Sequence, residues 1–99
     1  IYIREVLLIK IFHNSKIACQ HCAWAVSFME RYKFEYKTID ISVPENKKEW
    51  DNAENVLMEQ QESSDVLPYV IIDDTYGFAG FPPPKEEYQV LEYIQRVKK

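Results

Sequence analysis

Cysteine and long apolar runs are both scarce in this chain. Only two of its 99 residues are cysteines, far fewer than small secreted domains held together by disulfides contain, so a reducing cytoplasmic compartment is the expected location. The apolar stretch near the start, residues 6–9, is too short to cross a bilayer, and no segment resembles a secretory signal. We therefore expect no association with a membrane.

An excess of positive charge is also missing. Twelve lysines and arginines face 16 aspartates and glutamates, for a net charge of −4, which argues against nucleic acid as the main partner. The apolar fraction of 46% is sufficient for one modest core, so residues 1–99 are expected to form a single domain. Residues 1–4 carry no functional pattern and are expected to be a cloning remnant or a truncated start.

The first half of the chain alternates between strand and helix patterns. Residues 6–12 are a nearly continuous branched apolar run, which is typical of a central strand covered on both faces. Residues 23–32 have helical spacing, and residues 34–41 alternate as a second strand. The predicted inner stripe of that helix consists of Cys22, Val26 and Met29, flanked by Ala25 and Tyr32.

The second half predicts a helix, a hairpin and a last helix. Pro44 opens a helix whose apolar stripe contains Trp50, Ala53, Val56 and Leu57, with Trp50 expected to anchor it to the sheet. Residues 69–72 and 76–80 predict two strands joined by a turn at 73–75. Three prolines then lead into a helix whose predicted stripe is Tyr88, Leu91, Ile94 and Val97. The predicted fold is α/β, in the order β-α-β-α-β-β-α, with a four-stranded mixed sheet and helices on both faces.

The two cysteines form the motif Cys19-Gln20-His21-Cys22, between the first strand and the first helix. A disulfide between them closes a small ring and would stabilise the fold little, since the entropic benefit shrinks with ring size. The first thiol would instead meet the unpaired N–H groups of a helix N-terminus. The pattern favours thiol–disulfide exchange, with Cys19 as the exposed nucleophile, its pKa lowered by that terminus and by Lys16 or His21, and Cys22 as the resolving thiol.

This order of elements, with the cysteine motif after the first strand and Pro68 before the third, resembles the thioredoxin fold in its small glutaredoxin form over residues 5–98. Glutaredoxins carry a lysine three positions before the first cysteine, as Lys16 does here. They also carry a cis-proline before a β-branched strand, which Leu67-Pro68 matches. The resemblance implies that Pro68 is cis, faces the cysteine pair and leaves the Leu67 backbone free to pair with an extended substrate.

The segment Phe78-Ala79-Gly80-Phe81-Pro82-Pro83 departs from the glutaredoxin pattern. A Gly-Gly pair and an aspartate hold the γ-glutamyl end of glutathione there, whereas this chain has alanine at the first glycine and proline at the aspartate. The segment is more similar to the aromatic-Ser-Gly-Phe-Arg-Pro segment of NrdH-redoxins, which reduce ribonucleotide reductase. The substrate-binding residues implied by the resemblance are Lys16, Gln20, His21, Leu67, Pro68, Gly80 and Phe81.

The function that follows is that of a monomeric dithiol-disulfide oxidoreductase with no metal and no tightly bound cofactor. Its expected partners are disulfide-containing proteins, with glutathione or thioredoxin reductase as the electron donor. A histidine just before the second cysteine resembles the more oxidising members of the superfamily, in which a cationic imidazole favours the thiolate and raises the reduction potential.

Two other functions stay open at this stage. Cys19, Cys22, His21 and His13 offer the ligand types of a tetrahedral zinc site, although His13 is also a plausible strand-end residue. Alternatively, the chain is an adaptor without turnover that binds partners beside Leu67 and Pro68. The sequence likewise leaves open whether Trp24, Phe28 and Phe81 form an apolar docking surface or part of the core.

Overall fold

The structure, a computed structural model, describes residues 7–98, and its centre is a four-stranded mixed sheet. The strands are β1 (Ile9–His13), β2 (Tyr36–Asp40), β3 (Tyr69–Ile72) and β4 (Tyr76–Ala79), in the spatial order β2-β1-β3-β4. Strand β1 is parallel to β2 and antiparallel to β3, which is antiparallel to β4. The predicted mixed sheet is confirmed, with the most apolar strands at its centre.

Three helices cover the two faces of the sheet in the predicted order. They are α1 (Gln20–Arg31), α2 (Lys47–Glu59) and α3 (Tyr88–Lys98), the last two preceded by short 3-10 turns at Pro44–Asn46 and Pro84–Glu86. Helices α1 and α3 share a core cluster with Ile9, Ile11, Val70 and Ile72, and α2 packs on the opposite face against Phe12, Ile39, Tyr69 and Ile71. No helix within residues 7–98 is long and apolar enough to span a bilayer.

The predicted role of Trp50 is confirmed by its ring, which stacks on Tyr69 of β3 with centroids 4.5 Å apart and planes 15° apart. The β3–β4 turn is also confirmed. Asp73 and Asp74 both have positive φ, 54° and 53°, as the two central residues of a type I′ turn require, and the N–H of Thr75 closes the turn on the Ile72 carbonyl at 3.1 Å. The Asp73 carboxylate accepts the N–H of Leu8 at 2.8 Å, which fixes the chain just before β1.

The ends and inner faces of several elements differ from prediction. Strand β1 begins at Ile9; Leu8 is exposed and bonds to the turn at Asp73, while Val6 and residues 1–4 lie outside the described residues. Helix α1 begins three residues earlier than predicted, because a cysteine caps it. In α3, Leu91, Ile94 and Val97 face the core as predicted, whereas Tyr88, the first residue of the helix, is exposed and Val90 is buried in its place.

Candidate active site

The two cysteines lie at the N-terminus of α1. Cys19 is the N-cap residue, with φ −144° and ψ 103°, and its sulfur accepts the backbone N–H of Cys22 at 3.1 Å. The structure records the pair as a disulfide, with Cα atoms 5.3 Å apart. Cys22 is 9% exposed, whereas Cys19 is only half-buried. The sulfur that faces the helix N–H groups is therefore also the more accessible one.

The loop that leads to Cys19 is held by two acceptor side chains at strand ends. Asn14 accepts the N–H of Lys16 at 2.9 Å, and Asp40, the last residue of β2, accepts the N–H of Ser15 at 3.1 Å. The N–H and hydroxyl of Ser42 also donate to Asp40, at 3.0 and 2.8 Å. Hydrogen bonds from Ser15 and Ser42 hold the pKa of the Asp40 carboxyl well below its usual range.

Sequence reasoning missed the anchoring by Asn14 and Asp40. One signal was present, because Asn and Asp at strand ends commonly accept the N–H two residues onward, and these two residues end neighbouring strand regions. The partner across the loop, Ser15, lies 25 residues from Asp40 and had no signal of its own.

The segment before β3 lies at the same end of the sheet as the loop that carries the cysteines. Strand β3 is antiparallel to β1, with Phe12 opposite Tyr69, so the start of β3 lies beside the end of β1 and the loop to the cysteines. The Leu67–Pro68 peptide bond is cis, and Pro68 is buried. Leu67 is half-buried, and its backbone N–H and C=O form no hydrogen bond with any other described residue. An edge of unpaired backbone is therefore present beside Pro68.

Gly80 connects the end of β4 to this segment. Its N–H donates to the carbonyl of Pro68 at 2.8 Å, and its φ is +83°, a region that L side chains rarely adopt. Of the remaining predicted binding residues, Lys16 and Gln20 are exposed on either side of Cys19.

His21 turns its ring toward the chain that follows β4. Its Nδ1 lies 2.7 Å from the backbone carbonyl of Phe81. A carbonyl can only accept, so Nδ1 carries the proton and donates. The ring edge also meets Trp24, with centroids 4.8 Å apart. The residue thus bridges α1 and the segment after β4, a contact between positions 60 residues apart.

The open question about the aromatic residues is answered by burial. Phe81 is 3% exposed and Phe28 is fully buried, with their rings edge to face 5.5 Å apart, so both belong to the core. Trp24 is half-buried beside them. The Phe81 side chain packs in the core with α1 and the sheet and is not exposed for contact with substrate, so its predicted role in substrate binding stays a prediction. Only its carbonyl reaches the site, through His21.

The zinc alternative gains no support. His13 is the half-buried last residue of β1. Among residues 7–98, no group of three or more His, Cys, Asp or Glu side chains is arranged to hold a metal ion.

Comparisons with known proteins identify structural relatives only. No family model matches the chain, and no curated protein matches it by sequence. A glutaredoxin (grx-1) from Archaeoglobus fulgidus superposes with a TM-score of 0.59 at 22% identity, covering 87% of this chain and 84% of its own. Glutaredoxin 1 from Francisella tularensis, complexed with cacodylate, gives a TM-score of 0.54 at 20% identity, covering 92% and 99%.

Both matches extend over most of each chain, so they concern the whole arrangement of sheet and helices rather than one motif. That arrangement is the four-stranded mixed sheet with helices α1, α2 and α3 described above. The chain has the glutaredoxin form of the thioredoxin fold.

Proposed function

We propose that this protein is a dithiol-disulfide oxidoreductase that reduces disulfides in proteins or mixed disulfides with glutathione. One observation carries the proposal: the sulfur of Cys19 caps α1, accepts the N–H of Cys22 and is bonded to the Cys22 sulfur. A helix N-terminus favours a thiolate over a thiol, and the thiolate is the nucleophile in disulfide exchange. The fold shared with glutaredoxins supports the same chemistry.

The reaction needs two exchange steps. In the first, the Cys19 thiolate attacks one sulfur of the substrate disulfide; a mixed disulfide forms, and the other substrate sulfur leaves as a thiolate that takes a proton from water. In the second, Cys22 loses its proton to water and its thiolate attacks the Cys19 sulfur; the second substrate sulfur leaves as a thiolate and takes a proton from water. Two electrons pass from the protein to the substrate, and the Cys19–Cys22 disulfide is the product state.

Substrate binding is proposed at the edge of unpaired backbone. The N–H and C=O of Leu67 have no partner among the described residues, so an extended substrate segment can pair with them as an added strand. Two exposed apolar side chains flank this backbone and can contact a substrate. Ile17, two residues before Cys19, is 59% exposed, and Val66, next to Leu67, is 53% exposed. Lys16 and Gln20 are exposed there and are proposed to contact the same substrate.

The electron donor is proposed to be glutathione or a thioredoxin reductase, in a reducing compartment. Two glutathione molecules, or the dithiol of a reductase, become a disulfide as the cysteine pair returns to its reduced form. In the segment after β4, a proline replaces the aspartate of glutaredoxins and Ala79 replaces the first glycine, which favours a donor other than glutathione and keeps ribonucleotide reductase as a candidate acceptor. Initial rates with each donor, measured separately, distinguish the two.

Substitution of each cysteine tests the proposed reaction. Cys19→Ser is expected to abolish reduction of a protein disulfide, because serine at this position cannot form the mixed disulfide. Cys22→Ser is expected to stop turnover with a protein substrate and to trap the mixed disulfide, visible by mass spectrometry under non-reducing conditions. Full activity of Cys19→Ser contradicts the proposal. Unchanged partner binding when both cysteines are serine, with no turnover by the wild type, favours an adaptor instead.

A further inference from the structure

The His21 ring is fixed by a hydrogen bond to the backbone of a distant segment. It is the second residue of α1 and is exposed, yet its Nδ1–H donates to the Phe81 carbonyl at 2.7 Å. Nδ1 keeps this proton whether or not Nε2 is protonated, so the bond does not depend on the charge of the ring. The hydrogen bond therefore fixes the position of the ring, and it persists when the imidazole is neutral.

The acceptor of this bond belongs to a two-residue bridge. Phe81 accepts from His21, and the residue before it, Gly80, donates its N–H to the Pro68 carbonyl at 2.8 Å. The Phe81 ring is buried against Phe28 of α1, so the bridge cannot slide along the surface. Two adjacent residues thus connect the first turn of the helix that carries the cysteines to the proline that precedes β3.

We infer that His21 is a positioning residue that fixes the cysteine pair relative to the Leu67–Pro68 backbone. The inference rests on the proposed function, because that backbone is where the substrate disulfide would lie. An in-line attack requires the nucleophilic sulfur and the substrate to be held in register, and a small displacement reduces the rate. His21 then acts through its Nδ1–H and the Phe81 carbonyl, and its positive charge is not required.

Asparagine and leucine at position 21 separate this role from an electrostatic one. Asparagine places its Nδ2–H where the histidine has Nδ1–H, and leucine has nearly the same shape without a donor. Neither variant carries a charge. Because position 21 is exposed, both substitutions are expected to leave the fold intact.

The reaction measured is the reduction of insulin disulfides by the full chain, with dithiothreitol as electron donor. His21→Leu is expected to lower kcat/KM about fivefold, the equivalent of one hydrogen bond worth about 1 kcal/mol. His21→Asn is expected to stay within about twofold of the wild type, since it restores the donor. The ultraviolet absorbance of the Cys19 thiolate is expected to titrate identically in both variants, and the reduction potentials of both are expected to agree.

Equal losses in the two variants, accompanied by a shared change in the Cys19 titration, would overturn the inference in favour of imidazole charge. Wild-type rates in both variants would also overturn it. If the wild type itself reduces no disulfide, the proposed function fails. The hydrogen bond between His21 and Phe81, called the link here, is then tested on its own by nitrogen-15 spectra. Those spectra are expected to show an Nδ1–H tautomer for His21, and amide shifts at Gly80 and Phe81 that move in His21→Leu but not in His21→Asn; the opposite pattern contradicts the link.

Discussion

Gly80 illustrates how one residue sets the geometry of the site. It is one of only two glycines in the chain, and its φ of +83° is a conformation in which a Cβ atom is strained. An added Cβ would also lie 3.1 Å from Cγ2 of Val66, closer than ordinary van der Waals contact. The N–H that bonds the Pro68 carbonyl depends on this conformation. The predicted importance of Gly80 thus has a backbone origin in addition to any contact with substrate.

Gly80→Ala is expected to lower the free energy of unfolding by about 1–2 kcal/mol, the cost of placing an L residue in the left-handed region. Urea denaturation followed by circular dichroism measures the change. Gly80→Asn introduces the same Cβ beside Val66, but asparagine tolerates positive φ better, so its loss is expected to be smaller. A Gly80→Ala variant as stable as the wild type would show that this position accepts a Cβ atom without strain.

The ends of α1 and α2 have the same backbone geometry, although neither uses glycine. After α1, Lys33 has a φ of 59°, and the N–H of Phe34 donates to the carbonyl of Met29 at 3.0 Å. After α2, Gln61 has a φ of 58°, and the N–H of Glu62 donates to the carbonyl of Leu57 at 2.8 Å. Both are Schellman ends, a motif in which glycine is the usual residue at the positive φ.

The scarcity of glycine leaves these helix ends without their usual sequence signal. A glycine after the last apolar residue is the strongest sequence signal for the end of a helix, and lysine and glutamine carry no such signal. At the start of α1, the apolar spacing indicated a helix only from residue 23, whereas the placement of Cys19 at the helix N-terminus was predicted from the cysteine motif and is confirmed. By contrast, the bounds of β3 were predicted correctly, because a proline before it and two aspartates after it delimit a short β-branched run.

Gln61→Gly is expected to stabilise the protein by about 0.5–1 kcal/mol, because relief of the left-handed strain exceeds the added entropy of the unfolded chain. The neighbouring residue provides a matched control. Gln60 has a φ of −85°, so Gln60→Gly relieves no backbone strain and is expected to lower the free energy of unfolding. Thermal unfolding of the two variants measures the difference, and equal melting temperatures would contradict the assignment of strain to position 61.

At the scale of the whole molecule, the topology was predictable from the order of elements. A strand-helix-strand unit dictates a parallel pair, and a short turn dictates an antiparallel hairpin. The resemblance carried by Cys19, Cys22 and Pro68 also agrees with the observed sheet. Contacts between distant residues were not predictable. The bond from His21 to Phe81 spans 60 positions and uses a backbone carbonyl, which any residue type supplies.

The distribution of titratable groups makes the stability of the whole fold depend on pH at both extremes. Hydrogen bonds from Arg31, at 2.6 and 2.7 Å, hold the pKa of Glu87 below its usual range. Hydrogen bonds from Ser15 and Ser42 likewise lower the pKa of Asp40. Burial raises the pKa of the phenols of Tyr69 and Tyr93. The two carboxylates favour the folded state only when ionised, and the two phenols favour it only when neutral.

The free energy of unfolding is therefore expected to be largest near neutral pH and to fall on both sides. The carboxylate contribution is complete above the unfolded-state pKa values of about 4 and is lost as the pH falls through the lower folded values. The phenol contribution is complete below about pH 10 and is lost as the pH rises through the raised folded values. Chemical denaturation at a series of pH values, at constant ionic strength, measures the profile.

Two variants assign the limbs of that profile to particular groups. Asp40→Asn keeps an acceptor for Ser15 and Ser42 but cannot be protonated, so its acid limb is expected to be shallower than that of the wild type. Tyr69→Phe keeps the ring stacked on Trp50 and loses the bond to the Ser64 carbonyl, so it is less stable at neutral pH while its alkaline limb is shallower. An acid limb in Asp40→Asn as steep as in the wild type would mean that Glu87 and the other carboxylates carry the acid sensitivity, and that the loop before Cys19 does not depend on the Asp40 charge.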